Sequence, residues 1–317
     1  MKFFSSILVL CEKLKGRNES KHRFVRRCGF VRYYIICWLE NLIVKCIPLC
    51  ICYLNKSRRE EKIVVSLTTF PARINACFYT IKTLMMQTMH PDRVVLWLAE
   101  EQFPERKLPD CFDKLIMRGL EIRYCQDLKP HKKYFYMLQA QKPDELVITF
   151  DDDIIYNPLS IERAYKKHLQ YPKAIVANET KIMGLDTQGR LQPYSKWKKA
   201  PDGNNKPNIF NSVMSGSGCL YPYNIWPKEM FDIKLHQKLA PTADDVWITF
   251  YAIHSNIPIV CVDIPARTYT NVRNSQEVHL AQVNCLGVGN EDTIKDMLNY
   301  FTDINLKLLN NNEKMGN

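Results

Sequence analysis

The sequence predicts an α/β fold in which a mainly parallel β-sheet is flanked by helices. Three observations predict it. Short apolar runs recur at Ile63–Leu67, Arg93–Leu98, Glu121–Tyr124 and Leu146–Phe150; runs of this kind bounded by turn residues read as strands buried on both faces. Segments of helical periodicity separate them, as in βαβ units. The run Leu146-Val-Ile-Thr-Phe150 leads straight into Asp151-Asp-Asp153, and an open α/β sheet places its ligands at the carboxyl ends of its strands.

Composition fits one large α/β domain or two small ones. The chain has 317 residues, 46% hydrophobic and 24% charged, enough for a sizeable core. The net charge of +11 is uneven, because residues 1–62 hold 14 Lys and Arg against 5 Asp and Glu. The remainder is close to neutral, without the basic face that a nucleic-acid partner requires. Twelve cysteines are scattered, half of them before residue 55, and Cys50 and Cys52 are one residue apart. That is neither a zinc nor a redox spacing, so reduced, mostly buried thiols are expected.

Residues 1–60 are expected to form a basic and apolar helical segment. Lys21-His-Arg-Phe-Val-Arg-Arg27 is followed by an apolar stretch from Gly29 to Leu54 that carries Arg32, Glu40, Asn41 and Lys45. Charges at mid-bilayer cost about 2.5–3.5 kcal/mol each. The stretch therefore reads first as a helix lying on an anionic membrane surface. A true span and a hairpin packed on the domain are the alternatives. The expected localisation is the cytoplasmic face of the cell membrane. The main domain is placed at 61–305, with a polar tail at 306–317.

Strand Ile63–Leu67 opens that domain and precedes the loop Thr68-Thr-Phe-Pro-Ala-Arg73 and a helix from about Asn75 to Gln87. Strand Arg93–Leu98 follows, then a helix near Asp110–Met117, then strand Glu121–Tyr124 and the segment Asp127-Leu-Lys-Pro-His-Lys-Lys-Tyr134. Asp127 suits a helix N-cap. After the central strand and its aspartates, residues 160–170 read as a helix and Ala174–Asn178 as a strand. Residues 184–208 lose periodicity and read as a flap carrying Tyr194 and Trp197, whose aromatic faces suit sugar rings. Ser215-Gly-Ser-Gly-Cys-Leu-Tyr-Pro222 is a turn into a strand, where Gly216 and Gly218 allow close backbone approach. Asp244 and Asp245 start an apolar helix running to His254, and carboxylates favour that position.

Three adjacent carboxylates repel one another and need a counter-ion. Hard oxygen ligands suit Mg2+ or Mn2+, which also bridge phosphates. On an extended segment Asp151 and Asp153 point to one side and Asp152 to the other, which nominates Asp151 and Asp153 as metal ligands. Arg73 suits a diphosphate, since arginine pairs bidentately with phosphate oxygens.

These stretches resemble the metal-dependent nucleotide-sugar glycosyltransferases of the GT-A fold. More narrowly, they resemble the family 2-like bacterial enzymes of surface-polysaccharide assembly. The likeness is carried by Ser66-Leu-Thr-Thr-Phe-Pro-Ala-Arg-Ile74, Ile148-Thr-Phe-Asp-Asp-Asp-Ile-Ile-Tyr156, the Gly-Ser-Gly turn and Ala240-Pro-Thr-Ala-Asp-Asp-Val-Trp247. It covers roughly residues 63–300, ending at Asn284 and Gly289–Asp292. It implies a nucleotide-sugar donor, a UDP-sugar first, and a glycan or lipid-linked acceptor. The implied roles put Thr68, Thr69, Arg73, Asp127, Lys133, Asp151 and Asp152 at the donor. Gly216 and Gly218 fall at the sugars, where the aromatic reading of the stretch 184–208 also puts Trp197. Asp245 is the implied base of an inverting transfer, with Asp244 orienting a hydroxyl. Such enzymes often add a late histidine ligand; His254 and His279 are available, but neither sits in a motif. The alternatives are a sugar nucleotidyltransferase, against which stands the lack of glycine in the loop 68–73, and an inactive membrane-bound scaffold.

Overall fold

The structure is a computed structural model describing residues 2–15, 23–55, 59–201, 203–263, 269–275 and 289–316. Its strands are β1 (Lys62–Thr68), β2 (Arg93–Ala99), β3 (Leu120–Cys125), β4 (Glu145–Phe150), β5 (Ile154–Ile155), β6 (Ile175–Ala177), β7 (Thr180–Ile182), β8 (Lys198–Lys199), β9 (Asn211–Val213), β10 (Ser217–Tyr221), β11 (Ile259–Cys261) and β12 (Thr270–Asn271). The helices are α1 (Lys2–Lys15), α2 (Arg23–Cys46), α3 (Ile74–Leu84), α4 (Cys111–Ile116), α5 (Lys132–Gln139), α6 (Ser160–Gln170), α7 (Ile233–Leu239), α8 (Asp244–His254), α9 (Gly289–Tyr300) and α10 (Ile304–Gly316).

A seven-stranded sheet in the order β11-β6-β10-β4-β1-β2-β3 forms the middle layer. Its contacts are parallel except where β10 runs antiparallel to both β4 and β6. Side chains on a strand alternate between faces, and two cores result. Ile63, Val65, Ile148 and Phe150 face α3, α4 and α6, while Val64, Val95 and Val147 face α5 and α8–α10. Burial on both faces explains why β1 and β4 read as continuous apolar runs rather than alternating ones.

The predicted strands and helices of residues 61–182 lie within a few residues of the observed ones. The stretch 184–208 is not wholly irregular. Lys198 and Lys199 form β8, which joins β7 and β9 in a small antiparallel sheet.

The N-terminal segment forms a helical hairpin, α1 with α2, seated on the α3 side of the domain. Leu8, Val44 and Ile47 enter the core there. Among the described residues no helix is long and apolar enough to cross a membrane, so the spanning alternative does not hold for them. The hairpin is fastened by polar contacts. Lys15 and Glu40 form a buried ion pair of 2.9 Å, and Lys15 also donates to Thr270. Glu12 accepts two bonds from Arg163 at 3.1 and 3.0 Å.

Candidate active site

The site is built where β1 and β4 end side by side. Their parallel pairing sets Ser66 opposite Thr149, so the loop after β1 and the aspartates after β4 open into one cleft. Helix α8, which begins with Asp244 and Asp245 and sets them against the turn between β9 and β10, completes it. The cleft has a volume of about 490 Å3 and is lined by Thr68, Thr69, Arg73, Lys133, Asp151–Asp153, Gly216, Asp244 and Asp245, among others. The two acidic groups, about ninety residues apart in sequence, thus face the same space.

Asp151–Asp153 do not continue as an extended strand. The chain bends after Phe150, and the alternation expected of Asp151 and Asp153 against Asp152 is lost. Arg73 pairs with both Asp152, at 3.0 Å, and Asp153, at 3.1 Å. Asp151 instead meets Lys133 at 2.7 Å. Three side chains hold the bend. Tyr156 Oη donates to the carbonyl of Gly216 at 2.5 Å and accepts from the Asp151 amide at 2.9 Å. Thr80 donates to the carbonyls of Asp152 and Ile154. Thr69 donates to Asp152 at 2.5 Å. Burial pushes the Asp152 carboxyl above its ordinary range, against the pull of Arg73 and Thr69.

Lys133 is the bridge between the two acidic groups. It is almost wholly buried and reaches Asp151 at 2.7 Å and Asp244 at 2.8 Å. Burial disfavours its charge, but Asp151, Asp244 and Asp245 outweigh this and hold the ammonium protonated. Capping does not account for Asp244 and Asp245, whose oxygens are engaged beyond their own helix. The Ser215 hydroxyl donates to Asp244 at 2.6 Å and the Ser215 amide to Asp245 at 2.7 Å. The pair then separates electrostatically. Burial opposes the charge of Asp244, yet Lys133, His131 and Ser215 hold its carboxyl below the ordinary range. Asp245 is pushed up to about 7, first by burial and then by the charge of Asp244. Two neighbouring carboxyls with pKa values driven apart are an acid–base arrangement.

Gly216 is required by close approach. A Cβ built there would lie 1.8 Å from an oxygen of Asp151. Gly218 serves the strand rather than the cleft. It has φ +102°, its Cβ position is filled by Asn178 and Phe150, and the β10–β4 register shifts between Ser217 and Cys219 around it.

Other expected site residues lie elsewhere. Trp197 and Tyr194 are not on a cleft-facing flap. Both are buried, with ring centroids 4.9 Å apart and the Trp197 indole donating to the Gln192 carbonyl, because the small sheet packs over them as core. Asp127 is neither an N-cap of α5 nor a cleft-lining group; it is held by Lys129 at 2.7 Å and Lys132 at 2.5 Å. Burial opposes its charge, but those lysines, which line the cleft, together outweigh it and hold the carboxyl down at about 2. Thr68 lines the cleft with its hydroxyl turned to the Trp97 carbonyl at 2.8 Å. His254 pairs with Asp303 outside the cleft, and His279 and Asn284 lie outside the described residues. Sequence reasoning overlooked Ser215 as a shared donor and Tyr269 and Asn271 as cleft walls. Only the Ser beside the first glycine of the turn offered a signal.

Among the described residues no group of three or more His, Cys, Asp or Glu is disposed to hold a metal ion. The donor chemistry still fits a hard cation shared with a ligand, since Mg2+ is commonly held by one or two carboxylates together with substrate phosphates. Asp151, whose side chain is 42% exposed to the cleft, and Asp153 would supply those carboxylates.

No family model matches the chain, and no curated protein matches it. Among solved structures it is similar to 4-diphosphocytidyl-2C-methyl-D-erythritol synthase from Anaerococcus prevotii DSM 20548. The TM-score is 0.39 and the identity 13%, over 76% of this chain and 99% of that one. That likeness is too low to carry an argument.

Proposed function

We propose that the protein is a glycosyltransferase that moves a sugar from a nucleotide-sugar, a UDP-sugar first, to a hydroxyl of a glycan or lipid-linked acceptor, with inversion. The observation that carries this reading is the pair of acidic groups facing one cleft through a shared buried lysine. One group suits the diphosphate end of a donor and the other the acceptor. Asp245 takes the proton of the acceptor hydroxyl, and its carboxyl near 7 suits a general base at neutral pH. The acceptor oxygen bonds to the anomeric carbon while the bond from that carbon to the diphosphate breaks, its electron pair leaving with the phosphate. Asp244, held by Lys133 and Ser215, stays charged and accepts from a second hydroxyl. Lys133 and Arg73 supply cationic charge where the leaving diphosphate accumulates negative charge. A Mg2+ or Mn2+ ion held by Asp151 and Asp153 would act there as a Lewis acid.

The test is incubation with a panel of nucleotide-sugars, with and without Mn2+, reading released nucleoside diphosphate. Release that Asp245→Asn abolishes, with donor binding retained, supports the assignment. Pyrophosphate release from a nucleoside triphosphate and a sugar phosphate would favour a nucleotidyltransferase instead.

A further inference from the structure

The hairpin presents a second apolar surface. On α2 the residues Ile36, Glu40 and Val44 face inward, and the opposite stripe is Val31, Ile35, Trp38 and Leu42. These recur at helical spacing, and Val31 and Trp38 are 57% and 56% exposed. On α1, Phe3, Leu10 and Leu14 form a matching exposed stripe, with Lys2 and Lys13 on its solvent side. A monomer seldom leaves so continuous an apolar face uncovered.

We propose that this outer face of the α1–α2 hairpin docks in the plane of an anionic membrane. Charge complementarity selects this occupant. Residues 1–46, the span of the hairpin, hold 10 Lys and Arg against 3 Asp and Glu, a net +7 of the chain's +11, the sign that anionic lipid headgroups attract. The stripe carries Trp38 with Tyr34 beside it, and such rings favour the headgroup level. Neither helix is long and apolar enough to cross, so the hairpin lies flat. The face rests on observations separate from those of the cleft chemistry, yet the two are mechanically joined. Asn41 of α2 donates to the carbonyl of Asn271 at 3.1 Å and accepts from the Arg273 amide at 2.7 Å. Tyr33 donates to the carbonyl of Tyr269 at 3.0 Å. Tyr269 and Asn271 are walls of the cleft, so the bilayer-facing helix carries one side of the site.

The experiment uses the full chain with phosphatidylcholine vesicles, with and without phosphatidylglycerol. Of the five tryptophans Trp38 alone is exposed, so its fluorescence reports the face. The expected result is co-sedimentation with the phosphatidylglycerol vesicles and quenching by brominated lipid. Trp38→Glu with Leu42→Glu, and separately Val31→Glu with Ile35→Glu, should weaken partitioning ~10-fold or more while leaving the melting temperature unchanged. Three results would overturn the proposal. They are no binding to either vesicle, binding without quenching that both double variants retain, and a dimer in sedimentation analysis that Leu42→Glu dissociates. The last would mean that a second copy covers the face. Quenching of the unaltered protein decides the matter even if a variant fails to fold.

Discussion

Asp245 has a free-energy consequence of its own. Its folded carboxyl sits near 7, well above the ordinary carboxylate range near 4. As the base it must be deprotonated, so activity should rise with pH through about 7 and level off above. Stability runs the other way: the folded state holds a proton that the unfolded chain releases, so stability falls as pH rises from about 4 to 7. Asp245→Asn should lower kcat by ~10²–10⁴. The same change should raise stability at pH 8 by roughly 1–3 kcal/mol while leaving it unchanged at pH 4, read by denaturant titration at both. Lys133 makes the opposite case. Lys133→Met strips Asp151 and Asp244 of a shared buried counter-ion, a loss of roughly 3–5 kcal/mol. Lys133 also draws the Asp245 carboxyl down, so the activity profile of this variant should shift to higher pH. A pH profile unmoved by Lys133→Met would show that the lysine is only structural.

At the scale of elements, the turn before β10 and the hairpin seat each yield one expectation. Gly216→Ala would drive a methyl into Asp151. Activity should drop ~10-fold or more while the fold survives, since the turn can give at a cost of about 1–3 kcal/mol. Full activity would mean that the position of Asp151 does not matter. Lys15→Met leaves Glu40 buried beside Thr270 without its cation. Hydrogen exchange should then quicken in α1 and α2 and leave β1 and β4 protected; uniform protection would show that apolar packing alone seats the hairpin. The elements legible in the sequence were those with strong periodicity. β1, β2 and β4 read clearly because both their faces are buried. β8 escaped notice because Lys198 and Lys199 carry no strand signal and are fixed only by pairing with β7. The direction of β10 was equally invisible, since Ser217–Tyr221 reads the same in either orientation.

The whole molecule is three layers with the cleft at the ends of β1 and β4 and the hairpin on the α3 side. Its candidate site was legible in type more than in geometry. Asp151–Asp153 and Asp244–Asp245 stood out as acidic clusters at element ends, and the structure brings them to one cleft. Pairing was not legible. That Lys133 bridges the clusters and that Arg73 takes Asp152 and Asp153 depend on the bend after Phe150, which Tyr156 and Thr80 impose from a distance. Trp197 misled because an aromatic in an aperiodic stretch reads as exposed, whereas here the small sheet supplies a core for it. The measurement that bears most directly on the account is nucleoside diphosphate release from nucleotide-sugars by the unaltered protein, Asp245→Asn, and Asp151→Asn with Asp153→Asn. The account predicts release stimulated by Mn2+ in the first, donor binding without release in the second, and loss of the Mn2+ stimulation in the third. Release by Asp245→Asn at the unaltered rate would contradict it.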